Sequence, residues 1–474
     1  MNTMKLLRQL HAADTGHAVP NRSKRHAHLA DEPLIVCAYH LANEPGALIG
    51  LVYGTDPAAP HVVAMGNPLN RDVRFAALAD FARDALAYLD PYTGYEVVRP
   101  SPRSNRATAI AYDTPQIVTP NTATAAWLGD VLARSIRYLR PDEQNVDPAL
   151  PLLGAHLTAM TQAAHSPLSS LVASATNLLS SHWVTGQLGG ETEILPTILR
   201  WITPVAGLTG RESAAIAEQG TPPAGPVPGI EFDDALYRAW DQWSAQTAAG
   251  LNPLEASEAM RAALLAALVP TYAATFEALE LLRGLPPATS DAARHEIDRE
   301  AWGRHCQRAQ GGNARFRALL DPLTAARIMQ DSETQLATYT RQQVLDDPLA
   351  LEELVFTSDA VQGEVLAVNP DIRDGRAWTP LITVLTAVPY ENAPGARLYP
   401  TTNDRQSAEV IAVDGDTVTL KLRGGMGQGR PTPDRLPVIG QSLTFIALEA
   451  QQFRGRTLPR QLPWTHRTPE PVDA

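Results

Sequence analysis

The sequence of 474 residues is almost free of lysine. Lys5, Lys24 and Lys421 are its lysines, so 39 − 3 = 36 of the basic residues are arginine. A P-loop needs a lysine inside its glycine-rich motif, and no lysine lies between Lys24 and Lys421. This shortage excludes a P-loop and any lysine nucleophile over most of the chain.

Cysteine is also scarce, with Cys37 and Cys306 alone. Two cysteines so far apart cannot form a disulfide framework or a cysteine-based zinc site. No run of 18 apolar residues is present, so we expect no membrane contact. The first 30 residues lack the apolar segment of a secretory signal. These absences predict a cytoplasmic protein.

The chain has a formal net charge of −12 at neutral pH. Such a charge argues against general affinity for nucleic acid, because phosphate binding needs clustered positive charge. It leaves room for local basic patches. The excess of arginine over lysine accompanies much alanine, proline and glycine, which is typical of GC-rich codons. In this respect the chain is similar to large proteins of GC-rich bacteria, which implies a bacterial origin.

The N-terminal part is predicted to contain a flexible, polar arm over residues 1–32 and an α+β domain over 33–145. Short apolar runs separated by turn residues indicate strands, and apolar residues at the 3.6 period indicate helices. The predicted order is β-β-β-α-β-α. Its elements are strands at Leu34–Leu41, Ala47–Gly54 and His61–Met65, a helix from Asn70 to Asp90, a strand at Gln116–Thr119 and a helix from Thr122.

Residues 146–358 are predicted to be entirely helical, with a proline- and glycine-rich loop at 220–229. The apolar residues from Leu168 to Trp183 share one face of a single predicted helix, which ends at Gly186. His182 lies on this helix, and we expect it to be a buried, hydrogen-bonded core residue.

From about residue 359 the apolar period changes from 3.6 to 2, which indicates strands. Five short strands over residues 359–452 predict a small barrel of the SH3 or OB kind. Residues 453–474 are predicted to be a polar tail. The fold class is therefore multidomain α+β, with an N-terminal α+β domain, an all-α middle and a C-terminal small β-barrel.

Motifs that carry chemistry are missing. The sequence has no G-x-S-x-G, no H-E-x-x-H and no G-x-G-x-x-G between a strand and a helix. We therefore predict no catalytic residue, no metal ligand and no cofactor.

Two arginine-rich segments are candidate contacts for nucleic acid. Residues 294–317 alternate acids with arginines, and Glu300–Arg304 has the spacing of a helical ion pair. The later arginines extend past these acids, so a solvated face and a phosphate-binding face are both open. The second segment surrounds the glycine-rich run 424–430. The candidate residues are Arg304, Arg308, Arg315, Arg317, Lys421, Arg423 and Arg430.

The order of the N-terminal elements resembles the first part of an RNase H-like fold. That family holds two magnesium ions with acids on its first strand, first helix and fourth strand. Here the first strand carries no carboxylate and Gln116 stands on the fourth, although Asp80 and Asp84 lie on the helix. The resemblance therefore implies an inactive RNase H-like domain.

The C-terminal strands, with the sequences GEVLAV and AEVIAVDGDTVTLKL followed by the glycine-rich run, resemble the small barrel of helicases of the up-frameshift group. That family uses the barrel to touch single-stranded nucleic acid. The resemblance implies a similar contact here, although the chain has no helicase motor.

These observations predict a non-enzymatic accessory or adaptor protein of a nucleic-acid-associated assembly. Its expected partners are nucleic acid or a helicase-type nucleoprotein machine, together with other proteins. A pure protein-interaction scaffold is one alternative. The other is a metal-dependent nuclease-like enzyme with a degenerate RNase H-like N-terminal domain that uses Asp56, Asp80, Asp84 and Asp113.

Overall fold

The computed structural model describes residues 3–99, 107–187, 194–220, 223–251, 254–312, 314, 316, 321–427 and 429–450. The chain divides into two compact units, Leu7–Arg317, and Ala318–Ala474 together with Met1–Leu6. The predicted fold class is confirmed, with a mixed sheet near the N-terminus, a helical middle and a closed barrel near the C-terminus. The predicted tail lies outside the described residues.

A five-stranded mixed sheet is the centre of the first unit, with the order β4-β3-β2-β7-β8. β2, β3 and β4 are antiparallel neighbours, whereas β7 is parallel to both β2 and β8. The strands of this unit are β1 (Val19–Pro20), β2 (Leu34–Leu41), β3 (Glu44–Gly54), β4 (His61–Ala64), β5 (Tyr95–Val98), β6 (Thr108–Ala111), β7 (Ile117–Thr119), β8 (Val172–Ser174) and β9 (Trp183–Val184).

Helices cover both faces of this sheet. Successive residues of β2 point to opposite faces, so Val36 packs in one core cluster and Cys37 in the other. α2, α6 and α12 contribute to the first cluster, and α7, α8, α10 and α11 to the second. The helices are α1 (Thr3–Thr15), α2 (Arg71–Leu89), α3 (Thr122–Trp127), which continues through a π-helical segment (Leu128–Ala133) into α4 (Arg134–Ile136), α5 (Pro141–Gln144), α6 (Ala149–Ala163), α7 (Ala175–His182), α8 (Leu195–Ile202), α9 (Gly210–Gly220), α10 (Ile230–Ala248), α11 (Leu254–Arg283) and α12 (Asp291–Gln310).

The fifth strand of the sheet comes from the region that was expected to be helical throughout. β8 interrupts the helix predicted up to Gly186, and α7 occupies only its second half. All three residues of β8 are buried, so this strand has no polar alternation to distinguish it from an apolar helix face. The side chain of Ser174 then begins α7 by accepting a hydrogen bond from the Asn177 amide.

The flexible arm expected over residues 1–32 is wrong for the part that the structure describes. It contains α1 and β1, and β1 pairs with β9. Ala12 is fully buried, and the Asn21 amide donates to the His182 carbonyl over 2.7 Å. The polar composition misled the prediction because these contacts depend on distant parts of the chain.

Within the described residues, one helix, residues 256–283, is long and apolar enough to cross a membrane. Met260, Leu264 and Leu268 on this helix are buried in the second core cluster of the sheet. Core helices commonly have such a composition.

The barrel of the second unit is closed by six strands in the order β10-β13-β16-β15-β14-β17. The five predicted strands are present, and the sixth, β14, was missed because it is only four residues long. Val365, Val384 and Leu420 are fully buried in its core. The elements of this unit are α13 (Pro322–Asp346), α14 (Pro348–Phe356), β10 (Ala360–Asn369), β11 (Arg373–Asp374), β12 (Ala377–Trp378), β13 (Leu381–Thr386), β14 (Arg397–Pro400), β15 (Gln406–Asp414), β16 (Thr417–Gly424) and β17 (Ser442–Ile446).

Candidate functional site

The barrel brings its three predicted cations to one short segment around β11. Lys421 and Arg423 lie on the outward face of β16, because alternate residues of this strand fill the core. Lys421 Nζ is 3.8 Å from Asp374 Oδ2, and Arg423 Nη2 is 2.9 Å from the same oxygen. Arg430 Nη2 is 2.6 Å from Asp371 Oδ1. Residues separated in sequence thus form one cluster of charges.

Acids balance the charge of this cluster. Arg423 also lies 3.2 Å from Glu409 Oε2, so three cations face three carboxylates. Hydrogen bonding to Asp374 raises the pKa of the Arg423 guanidinium. Exposed pairs of this kind contribute only about 0–1 kcal/mol each. Another anion can therefore replace these carboxylates as the partner of the cations at a small cost in free energy.

An aromatic side chain lies on the hairpin that carries Asp374, and sequence reasoning missed it. β11 and β12 form a two-stranded hairpin, and the guanidinium carbon of Arg373 is 3.7 Å from the ring centroid of Trp378. The dipeptide Asp374-Gly375 is a recognised hairpin signal and could have revealed this turn. We use the name barrel patch for Arg373, Trp378, Lys421, Arg423 and Arg430.

The glycine-rich run after β16 is held against the barrel. Met426 is buried in the barrel core, and Arg435 Nη1 donates to its carbonyl over 3.2 Å. Gly424 and Gly425 have positive φ angles of 71° and 69°, which turn the chain back toward the barrel. The run is therefore anchored; Gln428 lies outside the described residues.

The arginines of α12 behave differently from those of the barrel. Arg304 and Arg308 are exposed, and neither forms an ion pair with a described side chain. The predicted Glu300–Arg304 pair is absent; Arg299 contacts Glu296 instead. The other two predicted residues, Arg315 and Arg317, lie outside the described residues.

The acids of the nuclease alternative lie in separate environments. Asp84 accepts a hydrogen bond from Tyr53 over 2.8 Å and lies 3.3 Å from His61, whereas Asp113 lies 3.4 Å from His295. Asp80 is paired with Arg83, and the Asp56 carboxylate accepts from the Ala58 amide. Among the described residues, no group of three or more histidines, cysteines or acids could hold a metal ion.

Several titratable side chains are buried in the first unit. His182 is buried, as predicted, and its Nδ1 lies 2.7 Å from the Leu178 carbonyl. His156 Nδ1 and His305 Nε2 lie 2.9 Å apart, and burial lowers the pKa of these imidazoles to about 4 and about 3. Burial also raises the pKa of Asp298 to about 6, against hydrogen bonds from Ser169 and Ser170. The side chains of His156, His182, His305 and Asp298 therefore lie inside the fold, away from solvent.

A second polar constellation lies where β2 and β7 end. Tyr39 and His40 lie near the C-terminal end of β2, and Asn121 follows β7. The Asn121 side chain accepts from the Thr124 amide and so caps α3. Residues 223–229, which we call the PG loop, cover these strand ends. Sequence analysis identified this loop only as an interruption of the helical region.

The chain matches no protein-family model, no curated protein and no solved structure in the comparisons made. Its class therefore follows from its own architecture: an α+β protein with a separate C-terminal barrel. The barrel carries a cation–aromatic patch on its outer face.

Proposed function

We propose that this protein is a non-enzymatic adaptor that binds single-stranded nucleic acid through the barrel patch, within a cytoplasmic assembly that contains a helicase-type partner. One observation carries the proposal. Lys421, Arg423 and Arg430 contact Asp371 and Asp374 in one short segment about fifty residues earlier in the chain, and the hairpin of that segment also presents Trp378.

The chemistry of the barrel patch suits a single strand. Nucleic-acid phosphates can replace the exposed carboxylates of Asp371 and Asp374, because arginine binds phosphate with two parallel hydrogen bonds. A base can stack on Trp378 once Arg373 moves aside, and stacking on an aromatic ring contributes about 1–3 kcal/mol per base. Cations beside an aromatic ring are the usual composition of such sites.

A likeness of the sheet in the first unit supports the same proposal. The order β4-β3-β2-β7-β8, with β2 central and β3 antiparallel to it, is the arrangement that an RNase H-like sheet would have. The strand ends of this sheet carry Tyr39, His40 and Asn121 and no carboxylate. We therefore assign the sheet a structural role and assign nucleic-acid contact to the barrel.

Fluorescence anisotropy with a labelled oligo-dT tests the proposal. Displacing three phosphate counterions gives a slope of about −2 in log K against log[salt], since each contact contributes about −0.7 on a single strand. Affinity should therefore fall about 20-fold between 50 and 200 mM salt. Arg423→Glu should abolish binding, and Trp378→Ala should weaken it about tenfold.

Asp374→Asn is the decisive variant, because it removes a negative charge that faces both Lys421 and Arg423. We expect it to tighten oligo-dT binding several-fold. Arg304→Glu, at an exposed position on α12 of the other unit, is the matched charge control and should change affinity less than Arg423→Glu. Absence of binding at low salt, or equal effects of Arg304→Glu and Arg423→Glu, would contradict the assignment to the barrel.

A protein-interaction scaffold is the second candidate, and one surface favours it. Ile328, Met329 and Leu336 on α13 are exposed by 48%, 64% and 55%. Large apolar side chains grouped on one helix often mark protein contacts. Purification of a stable complex with another protein and without nucleic acid would favour this function.

A further inference from the structure

The PG loop lies at the place in the sheet where a ligand would be expected. In open sheets with parallel strands, ligands bind outside the carboxyl ends of the strands, at the point where successive connections leave in opposite directions. That point here is between β2 and β7, because β2 continues to β3 on one side and β7 is followed by β8 on the other. The PG loop crosses this position.

Three donors from the strand ends hold the loop through its backbone. The hydroxyl of Tyr39 donates to the Pro223 carbonyl, the Asn121 side chain donates to the Gly225 carbonyl over 2.6 Å, and the His40 amide donates to the Pro226 carbonyl over 2.8 Å. The acceptors lie within four consecutive residues. The strand ends therefore bind a short stretch of peptide backbone through hydrogen bonds to its carbonyl groups.

The loop sequence fits this place closely. Gly225 has a φ of +91°, and a Cβ at this residue would lie 2.5 Å from the Ala38 carbonyl oxygen. Ala224 is buried in the second core cluster, and Pro226 and Pro228 are also buried. Phe232 packs edge-on against the Tyr39 ring with centroids 5.0 Å apart. A glycine is thus required at one position between apolar neighbours.

The donor set favours peptide over nucleic acid. A phenol, a carboxamide and a backbone amide are all uncharged, and each is bonded to an amide carbonyl. Phosphate recognition relies on arginine, lysine or clustered amides. Proline restricts the backbone before binding, so a proline-rich segment loses less conformational entropy when the site holds it through its carbonyl groups.

We propose that the ends of β2 and β7 form a peptide-binding site, that the PG loop occupies it as an internal ligand, and that a proline- and glycine-rich segment of a partner protein can replace the loop. The occupant supplies carbonyl acceptors and a glycine at the position of Gly225. The internal loop competes at the effective concentration of a short tether, about millimolar. A partner segment must therefore outcompete the loop, through higher affinity or higher concentration, to occupy the site.

The test uses the labelled nonapeptide TPPAGPVPG, the sequence of residues 221–229, and full-length protein in which residues 223–228 are replaced by Gly and Ser. We expect saturable binding by fluorescence anisotropy, at least tenfold tighter than to the wild-type chain. The peptide TPPAAPVPG, with alanine at the position of Gly225, is the matched control and should not bind. Adding Asn121→Asp should weaken binding at least tenfold, because the carboxylate still caps α3 but cannot donate to the peptide.

A measurement on wild-type protein covers the case in which the replaced loop prevents folding. Excess TPPAGPVPG should accelerate hydrogen exchange of the Ala224 amide, because this residue is only 4% exposed while the loop is in place, whereas TPPAAPVPG should leave the rate unchanged. Equal behaviour of the two peptides in both experiments would overturn the proposal. So would oligo-dT binding gained only after loop replacement, or a dimer of the wild-type chain formed by loop exchange. The barrel patch is intact in every variant, so failure of this site is distinguishable from failure of the proposed nucleic-acid function.

Discussion

Asp298 on α12 offers the sharpest test of the energetics of this fold. Its side chain is 1% exposed, and its Oδ2 accepts from the Ser170 amide over 2.7 Å, while Oδ1 has no hydrogen-bond partner. Desolvation outweighs these hydrogen bonds and raises the pKa from 3.8 to about 6. The folded protein therefore resists ionisation of this carboxyl group.

The sign and size of the pH effect follow from this pKa. Between about pH 4 and pH 6 the folded state holds a proton that the unfolded state has released, so stability falls as the pH rises through this range. A difference of about two pKa units corresponds to about 3 kcal/mol. Above about pH 7 both states are ionised, and the cost stays constant.

Asp298→Asn removes the ionisation and keeps an acceptor for the Ser170 amide. Urea unfolding, followed by far-UV circular dichroism at pH 4, 5, 6 and 7.5, gives the free energy of unfolding of variant and wild type. The advantage of the variant should grow by about 2 kcal/mol from pH 4 to pH 6 and level off above about pH 7, because the rest of the 3 kcal/mol falls outside this range. The unpaired amide adds a constant cost of about 1–3 kcal/mol, which does not change with pH. Parallel pH profiles would refute the reasoning.

Two further predictions concern packing in the first unit. A Cβ at Gly50 would lie 2.3 Å from Leu264 Cδ2 and 2.5 Å from the Val63 carbonyl oxygen. Gly50→Ala should therefore lower the free energy of unfolding by about 1–3 kcal/mol. Gly46→Ala, at an exposed site, is the control, and equal effects of the two substitutions would contradict this close approach. Cys37 is fully buried, and burial raises the pKa of its thiol well above the ordinary value, so alkylation by iodoacetamide should follow global unfolding in urea. Rapid labelling in native buffer would show that the core opens locally.

Local signals in the sequence identified most of the elements. Asn70 and Asp90 delimit α2 as predicted, because side-chain caps and helix-stopping prolines act within a few residues. The hairpin that joins β15 and β16 through Gly415 and Asp416 carries the same kind of local signal, since a tight turn depends on its own two residues. β8 and β14 were missed because a three- or four-residue strand exists only through its neighbours in the sheet.

The candidate sites depended more strongly on tertiary structure. Arg423 and Arg430 were identified from their charge and position. Their contacts with the segment that carries Trp378 were not, because these contacts join residues about fifty positions apart in the chain. The PG loop was recognised as a break between helices, but its contacts with Tyr39 and Asn121 span more than 100 residues.

The sequence by itself determined the alternation of strands and helices, the C-terminal barrel and the exclusion of a P-loop, because each depends on residue type and short spacing. Tertiary structure decided which charges are neutralised, what covers the strand ends and which acids lie apart. Those properties depend on distances between residues remote in sequence, which periodicity does not encode. Lys421 and Arg423 would form an open basic surface if the hairpin of β11 and β12 did not place Asp374 against them.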